Sequence, residues 1–272
     1  MSHLPFAYTR KGSGEPVVLI HGIGHRRQAW DPIFEQLAEK YDVTAIDLAG
    51  FGESPAYPKS TPYTMDSAIE HLTHNFALLG IENPHVVGNS LGGAISLELG
   101  ARGHARSVTA LSPAGFFGLA GRAQALAVLL PIRFVSLLPL FFLKWMTGFA
   151  PVRKIAGRGL YFHPERFSAA DVFGDAKALH HSKAFERTAL NVPQYSFTGN
   201  PTVPTTVAWG NKDYVLNPNQ AEVARTRLPQ ANHVSLPNCG HVPMVDDPEL
   251  VISVIEKTIA RAAAEPELRE TA

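Results

Sequence analysis

The sequence predicts an α/β fold with a mostly parallel sheet, helices on both faces of the sheet and an inserted helical segment. Over roughly the first 115 residues, short apolar runs alternate with helical patterns, as in parallel sheets with crossover helices. From Pro113 to Gly199 the pattern is helical, apolar and aromatic, with no clear strand. The alternation resumes after residue 200. We therefore predict a core of residues 1–113 and 200–272, interrupted by a helical insertion of residues 114–199.

The individual elements follow from periodicity and from turn residues. Strands are expected where short apolar runs end at a glycine or a polar residue, at 16–22, 42–50, 85–90, 107–112, 205–210 and 232–237. Helices are expected at 29–41 and 64–79, where apolar residues recur every three or four positions, and at 91–100, which is small and apolar. A last helix is expected to begin at Pro248, because proline is favoured in the first helical turn.

Composition and charge exclude several classes of protein. Of the 272 residues, 45% are hydrophobic and 18% are charged, which is typical of a globular chain. The 24 Lys and Arg balance the 24 Asp and Glu, which argues against a surface for nucleic acid. The single cysteine, Cys239, excludes an intramolecular disulfide and a cysteine-based zinc site. We expect no metal and no organic cofactor, and we expect a buried, unreactive thiol.

The N-terminal residues do not show a basic start followed by an apolar stretch, so a cytoplasmic location is expected. The segment Leu126–Leu143 is almost wholly apolar and resembles a membrane span in length. Arg133 lies in its middle, and Pro131 and Pro139 would each destabilise a continuous helix by roughly 3 kcal/mol. We therefore expect this segment to belong to the insertion, with at most a weak contact to a lipid surface.

The most specific motif is the G-x-S-x-G sequence from Gly88 to Gly92, which has Ser90 at its centre. The motif follows an apolar strand and opens an apolar helix, the context of a serine nucleophile on a sharp strand-to-helix turn. Glycines two residues before and after the serine remove side chains that would clash with neighbouring backbone. A serine that merely caps the helix is the simpler alternative. The histidine and the carboxylate described next favour the nucleophile.

A serine hydroxyl needs a base, and the base needs a carboxylate to orient it. Among the twelve histidines, His241 lies in a loop just beyond the last expected strand, at the edge where parallel sheets form their sites. Asp213 directly follows the strand before it. The rival carboxylate is Asp47, which begins a glycine-rich loop and is better explained by an Asx-type turn. The order Ser90, Asp213, His241 is that of the strand–turn–helix class of serine hydrolases.

These segments resemble the α/β-hydrolase family over essentially the whole chain. The matching pieces are HGIG from His21, DLAGFGES from Asp47, GNSLGG from Gly88, WGNKD from Trp209 and CGHVP from Cys239. The resemblance implies that the backbone N–H groups of Ile23 and Leu91 form an oxyanion hole. It also implies that the helical insertion is a cap over the nucleophile. A cap dense in Leu, Phe and Val predicts an apolar acyl or aryl pocket, or a face toward lipid.

The leading prediction is a carboxylic-ester hydrolase, similar to carboxylesterases and lipases, acting on a small-molecule ester. One alternative is hydrolysis of a carbon–carbon bond in dienoic ring-cleavage products, whose enzymes have a similar serine turn. This chain departs from them at HGIGHRR and at Val242, where they usually have a longer glycine-rich run and a tryptophan. A second alternative is a non-catalytic ligand receptor on the same fold. The sequence assigns neither an oligomeric state nor individual substrate-binding residues.

Overall fold

The computed structural model describes residues 5–191 and 194–270, with side chains through residue 264. Its sheet has seven strands in the spatial order β1-β3-β2-β4-β5-β6-β7. Strand β1 pairs antiparallel with β3, and all other neighbouring pairs are parallel. The strands are β1 Tyr8–Lys11, β2 Pro16–Ile20, β3 Asp42–Ile46, β4 His85–Asn89, β5 Ser107–Leu111, β6 Thr205–Gly210 and β7 Asn232–Leu236.

Helices follow most of the strands. Short 3-10 turns lie at 27–30 and 164–166. The helices are α1 Asp31–Ala38, α2 Met65–Leu78, α3 Leu91–Ala101, α4 Leu119–Ser136, α5 Leu140–Thr147, α6 Ala150–Gly157, α7 Ala169–His181, α8 Phe185–Asn191, α9 Asn219–Arg227, α10 Pro243–Asp246 and α11 Pro248–Glu270. The predicted mostly parallel sheet with flanking helices is therefore confirmed.

Strand β2 shows how the sheet separates two hydrophobic layers. Val18 and Ile20 pack with the layer that includes α2 and α3, whereas Val17 and Leu19 pack with the layer of α1 and α11. Successive side chains of a strand point to opposite faces, so an uninterrupted apolar run satisfies both layers. Each of these four side chains is fully buried. Burial of one such side chain contributes about 1.5–3 kcal/mol before entropic costs.

Strand β1 was not predicted from the sequence. Its residues, YTRK, are all exposed and show no apolar alternation. The strand forms through backbone hydrogen bonds to β3, with Tyr8 opposite Ile46 and Lys11 opposite Val43. An exposed edge strand of this kind leaves no hydrophobic periodicity in the sequence.

Two other bounds differ from expectation for local reasons. The predicted helix at 29–41 is a 3-10 turn followed by the shorter α1. The predicted strand at 42–50 ends at Ile46, because the side chain of the next residue, Asp47, accepts backbone hydrogen bonds that fold the following loop.

Between β5 and β6 the described residues form helices α4–α8 and no strand. The division of the chain at 114 and 199 remains a prediction. Within this segment, α4 is the one described helix that is long and apolar enough to cross a membrane. Its Arg133 forms an ion pair with Glu186 of α8 and also donates to the carbonyl of Leu179 in α7. These contacts tie α4 to the other helices of the insertion.

The basic residues of the insertion differ in their exposure to solvent. Arg133 is largely covered by its ion pair, and Arg153 donates to the carbonyls of Thr147 and Gly148. Lys144 and Lys154 are exposed.

Candidate active site

Ser90 lies on a strained turn between β4 and α3. Its φ of 57° and ψ of −115° place a non-glycine residue in a rarely occupied backbone region, which costs on the order of 1–3 kcal/mol. A Cβ on Gly88 would lie 2.1 Å from the carbonyl oxygen of Gly92, and one on Gly92 would lie 2.0 Å from that of Ile20. Only glycine fits at these two positions, which explains the spacing of the motif.

The turn is held by backbone hydrogen bonds on both sides. The N–H of Ser90 donates to the carbonyl of Leu111 at 3.0 Å. The Ser90 carbonyl accepts from the N–H groups of Ala94 and Ala114, each at 3.0 Å. Ser90 is thereby fixed by the neighbouring strand and by the helix that it precedes.

His241 and Asp213 are in direct contact. The Nδ1 of His241 lies 2.8 Å from Oδ2 of Asp213, and both side chains are buried. The other carboxylate oxygen accepts hydrogen bonds from the N–H groups of Val215 and Leu216, at 2.9 and 2.8 Å. Because the carboxylate is fixed by two backbone donors, it orients the imidazole with Nδ1 protonated and leaves Nε2 free to accept a proton.

Backbone contacts on two sides position the His241 loop. The N–H of His241 donates to the carbonyl of Leu160 at 2.8 Å, and its carbonyl accepts from Nδ2 of Asn89 at 2.8 Å. Leu160 lies in the insertion, whereas Asn89 precedes Ser90 in the sequence. The histidine is therefore anchored both to the serine turn and to the insertion.

Ser90 and His241 line one small cavity of about 40 Å³ together with Ile23. Leu91 begins α3, where the first N–H groups of a helix lack helical acceptors. In the described residues 5–191 and 194–270, the backbone hydrogen bonds of turns, loops and helix caps include none donated by the N–H group of Ile23 or of Leu91. The structure thus brings Ser90, His241 and Asp213 to one edge of the sheet, near two available N–H donors.

His21 fixes the turn that contains Ile23. Its ring is fully buried, with Nδ1 lying 2.7 Å from the carbonyl of Gly22 and Nε2 accepting from the N–H of Leu48 at 3.0 Å. Burial lowers the pKa of His21 to about 4, so the ring is neutral at neutral pH. The neutral ring with a proton on Nδ1 satisfies both partners.

Asp47, the rival carboxylate, has different partners. It accepts from the N–H of Arg27 at 2.6 Å and from the N–H of Glu53 at 2.9 Å, and it forms an ion pair with the Arg27 side chain. The bond to Glu53 reaches six residues along the chain, so it is not the Asx-type turn that was expected. These bonds fold the loop after β3.

Asp246, which the sequence analysis did not select, connects the histidine loop to the insertion. One carboxylate oxygen accepts from the N–H of Gly240 at 2.7 Å and of Phe162 at 3.1 Å, and the other accepts from the N–H of His163 at 2.7 Å. The side chain is buried, and all three donors are backbone groups. The pair of acids at Asp246 and Asp247, shortly after CGHVP, was the available sequence signal.

A larger, mostly apolar cavity of about 430 Å³ adjoins the small one, and Gly24, His25 and Leu160 line both. Nε2 of His25 lies 3.1 Å from the hydroxyl of Tyr161 at this junction. Burial lowers the pKa of His25. His25 was not predicted from the sequence, although the HGIGH run was the signal that could have indicated it.

Cys239 is fully buried two residues before His241. Burial raises the pKa of its thiol to about 12, so it is a protonated, weakly nucleophilic group at neutral pH. This agrees with the expected unreactive thiol.

Comparisons with known proteins agree with the fold and motifs. A family model described as the alpha/beta hydrolase family matches residues 17–254. Lipase 1 of Psychrobacter immobilis is 32% identical over 250 residues, covering 88% of this chain and 75% of the relative. The chain therefore belongs to the α/β hydrolase family, and it is a hydrolase similar to lipases.

Two further proteins are similar to this chain. The 2-hydroxy-6-oxo-6-(2'-aminophenyl)hexa-2,4-dienoic acid hydrolase of Metapseudomonas resinovorans is 29% identical over 253 residues, covering 89% of this chain and 83% of the relative. A thermophilic esterase from Thermogutta terrifontis superposes with a TM-score of 0.72 at 23% identity, covering 94% of this chain and 93% of that one. The structural match supports the fold.

Proposed function

We propose that this protein hydrolyses carboxylic esters with an apolar acyl or aryl group, through a serine acyl-enzyme. The observation that supports the proposal best is the 2.8 Å contact of His241 with Asp213 in a site whose cavity is also lined by the strained Ser90. Ser90 is the proposed nucleophile, His241 the general base and Asp213 the orienting carboxylate. No cofactor takes part in the proposed reaction.

In the first half-reaction, Oγ of Ser90 attacks the ester carbonyl while Nε2 of His241 accepts the hydroxyl proton. Asp213 stabilises the resulting imidazolium through Nδ1–H. The N–H groups of Ile23 and Leu91 donate to the developing oxyanion, and one such donor contributes about 3–4 kcal/mol in related enzymes. The imidazolium then protonates the leaving alcohol, and the acyl group remains on Ser90.

In the second half-reaction, His241 removes a proton from water, and the resulting hydroxide adds to the acyl carbon. The tetrahedral intermediate collapses, the bond to Oγ of Ser90 breaks, and the imidazolium returns the proton to Oγ. The products are a carboxylic acid and the free enzyme.

The adjoining apolar cavity supports an apolar substrate. It is lined by aliphatic side chains of α4–α7, including Val128, Ile132 and Met146. Its junction with the Ser90 cavity, at Gly24 and Leu160, is the natural position for an acyl chain attached to the nucleophile. We therefore expect the acyl chain, or an aryl group, to lie along this cavity.

A fluorophosphonate probe tests the nucleophile. Wild type should label rapidly, and Ser90→Ala should not label. Ser112→Ala should still label, because Ser112 directly follows the neighbouring strand β5 and does not line the small cavity. Unlabelled wild type would instead support the receptor alternative.

A series of 4-nitrophenyl esters from acetyl to octanoyl then tests the acyl cavity. We expect kcat/KM to rise with chain length beyond acetyl. A strict preference for acetyl over octanoyl would contradict an apolar acyl pocket.

The second candidate function is hydrolysis of a carbon–carbon bond in dienoic ring-cleavage products. The relative from Metapseudomonas resinovorans favours it. Loss of the colour of a vinylogous dienone in the presence of wild type, together with no turnover of any 4-nitrophenyl ester, would replace the ester proposal with this one.

A further inference from the structure

The outer surface of the insertion has an unusual concentration of exposed apolar side chains. Of the sixteen exposed large hydrophobic residues in the described part of the chain, eleven lie between residues 119 and 162. We name six of them the apolar cap face: Phe134, Leu137, Phe141, Trp145, Phe149 and Ile155. Phe134 is 74% exposed, Phe141 78% and Ile155 72%. Exposed apolar patches of this kind mark interaction surfaces.

The aromatic part of this face is organised. The ring of Trp145 stacks on Phe142, with centroids 5.4 Å apart, and meets Phe149 edge-on at 5.0 Å. Phe141, Phe142 and Trp145 lie on α5, which is only eight residues long. Phe142 and Trp145 therefore cover part of each other, while Phe141 and Trp145 remain mostly exposed to solvent.

The apolar cap face is continuous with the larger cavity. Ile155 belongs to the face and also lines the cavity. The exposed Val135 of α4 lines the cavity as well. A molecule in contact with the face is therefore at the rim of the cavity that adjoins Ser90.

The charge of the same segment indicates which partner would cover it. No Asp or Glu occurs in residues 114–164 of the insertion, whereas six Lys and Arg do. Lys144, Lys154 and Arg158 are exposed on α5, α6 and the residue that follows α6. Acids on neighbouring elements include Glu165, which interacts electrostatically with Lys154, Glu186, which pairs with Arg133, and Asp175 of α7, which pairs with Arg26. The chain is neutral overall, so this segment is a local positive excess.

We propose that the apolar cap face docks on an anionic lipid surface, with the aromatic rings inserted among the acyl chains and Lys144, Lys154 and Arg158 at the headgroups. Amphipathic surfaces bind membranes through apolar insertion together with attraction of basic residues to anionic lipid. This binding is independent of the chemistry at Ser90, so the Ser90→Ala variant binds equally well.

Tryptophan fluorescence offers a direct reading of the contact. Of the three tryptophans, Trp30 and Trp209 are buried, whereas Trp145 is 59% exposed and belongs to the face. Vesicles of equal parts phosphatidylglycerol and phosphatidylcholine should shift the emission of wild type to shorter wavelength, and Trp145→Phe should remove that shift. Pure phosphatidylcholine vesicles should bind at least about tenfold more weakly.

Vesicle co-sedimentation with matched variants tests the apolar and the electrostatic contributions to binding separately. Phe134→Ser with Phe141→Ser should weaken binding by about tenfold or more, while Leu78→Ser with Leu190→Ser, two exposed leucines elsewhere, should not change it. Lys144→Gln with Lys154→Gln should weaken binding by about tenfold, in contrast to Lys59→Gln with Lys183→Gln. Hydrolysis of a soluble short ester should be unchanged in all four double variants.

Three results would overturn the proposal. Wild type that does not sediment with anionic vesicles excludes a lipid surface. Equal binding to neutral and anionic vesicles excludes the assigned lipid class. Self-association in analytical ultracentrifugation that the Phe134→Ser, Phe141→Ser pair abolishes, without vesicle binding, would identify a second copy of the chain as the partner.

Discussion

Two regions of the insertion differ sharply in how they meet the rest of the molecule. Residues 160–163 are bound to the core by Leu160, whose carbonyl accepts from the N–H of His241, and by Asp246, which accepts from the N–H groups of Phe162 and His163. Helices α4–α6, by contrast, expose eight large apolar side chains to solvent, among them Phe134, Phe141 and Trp145. Residues 160–163, the inner region, make polar contacts with the core. Helices α4–α6, the outer region, leave apolar side chains exposed to solvent.

This difference shows how one insertion can do two things. Buried hydrogen bonds to backbone groups are directional, and leaving one unmade costs about 1–3 kcal/mol, so the inner region holds His241 in one position. The hydrophobic effect is non-directional, so an exposed apolar side chain is stabilised by any apolar surface that covers it. The outer region is therefore the part that responds to a partner, and the inner region is the part that has to stay in place.

The largest expected effect comes from breaking the pair that the inner region supports. Asp213→Asn should lower kcat by about 10⁴-fold with the fold intact, because the amide would favour the wrong imidazole tautomer. Steady-state kinetics measure kcat, and circular dichroism shows whether the fold is intact. Full activity in this variant would mean that another carboxylate orients His241.

The buried His21 gives a pH dependence to the turn beside Ser90. Its pKa of about 4 in the folded protein lies below the value near 6.5 of an unfolded chain, so the unfolded state binds more protons between these pH values. This group's contribution, about 3 kcal/mol, is therefore complete above pH 6.5 and is lost as pH falls toward 4.

Urea unfolding of wild type and His21→Gln at pH 7, 5 and 4 tests this expectation. The variant is less stable at pH 7, and the difference between the two proteins should shrink as the pH falls. A difference that is constant with pH would show that His21 does not titrate as inferred. His25 is present in both proteins, so its own titration cancels.

Asp246→Asn sharpens the comparison by weakening the inner region alone. The amide presents N–H donors to backbone groups that are themselves donors, so we expect a loss of about 2 kcal/mol in the free energy of unfolding. A fall in kcat should accompany it, because the His241 loop loses its contact with residues 162–163. Asp66→Asn, an exposed acid paired with Arg102, is the control and should change stability by less than about 0.5 kcal/mol.

The smallest effect is expected at the boundary between the two regions. Tyr161→Phe removes the hydroxyl that pairs with His25 at the junction of the cavities, and should lower the free energy of unfolding by about 1 kcal/mol. Thermal unfolding and the 4-nitrophenyl ester series measure the consequences. If the change in acyl-chain preference, expressed as a free energy, exceeds the change in the free energy of unfolding, Tyr161 is assigned to the substrate path.

The sequence predicted six of the seven strands. Five of them, β2–β6, are buried runs, whereas β7 is a partly exposed edge strand with the apolar Val234 and Leu236 at alternate positions. The sequence missed β1, whose exposed YTRK residues form no such run. It also selected Ser90, Asp213 and His241, because each follows an apolar strand of the sheet. Their roles in catalysis remain the proposal tested above.

Asp246 and His25 were not selected in this way, because their sequence signals, an acid after CGHVP and a second histidine in HGIGH, do not indicate which residues they contact. Their importance comes from partners 83 and 136 residues away along the chain. Such contacts exist only after the insertion has folded onto the core.

By itself, the sequence determined the alternation of strands and helices, the glycine spacing that permits the Ser90 turn, and the run of residues without a negative charge in the insertion. These are local properties, set by sterics, side-chain periodicity and composition. Tertiary structure alone decided which side of the insertion holds His241 and which side stays exposed, because burial depends on what packs opposite each side chain. That separation is a property of three-dimensional contacts and has no counterpart in the linear pattern.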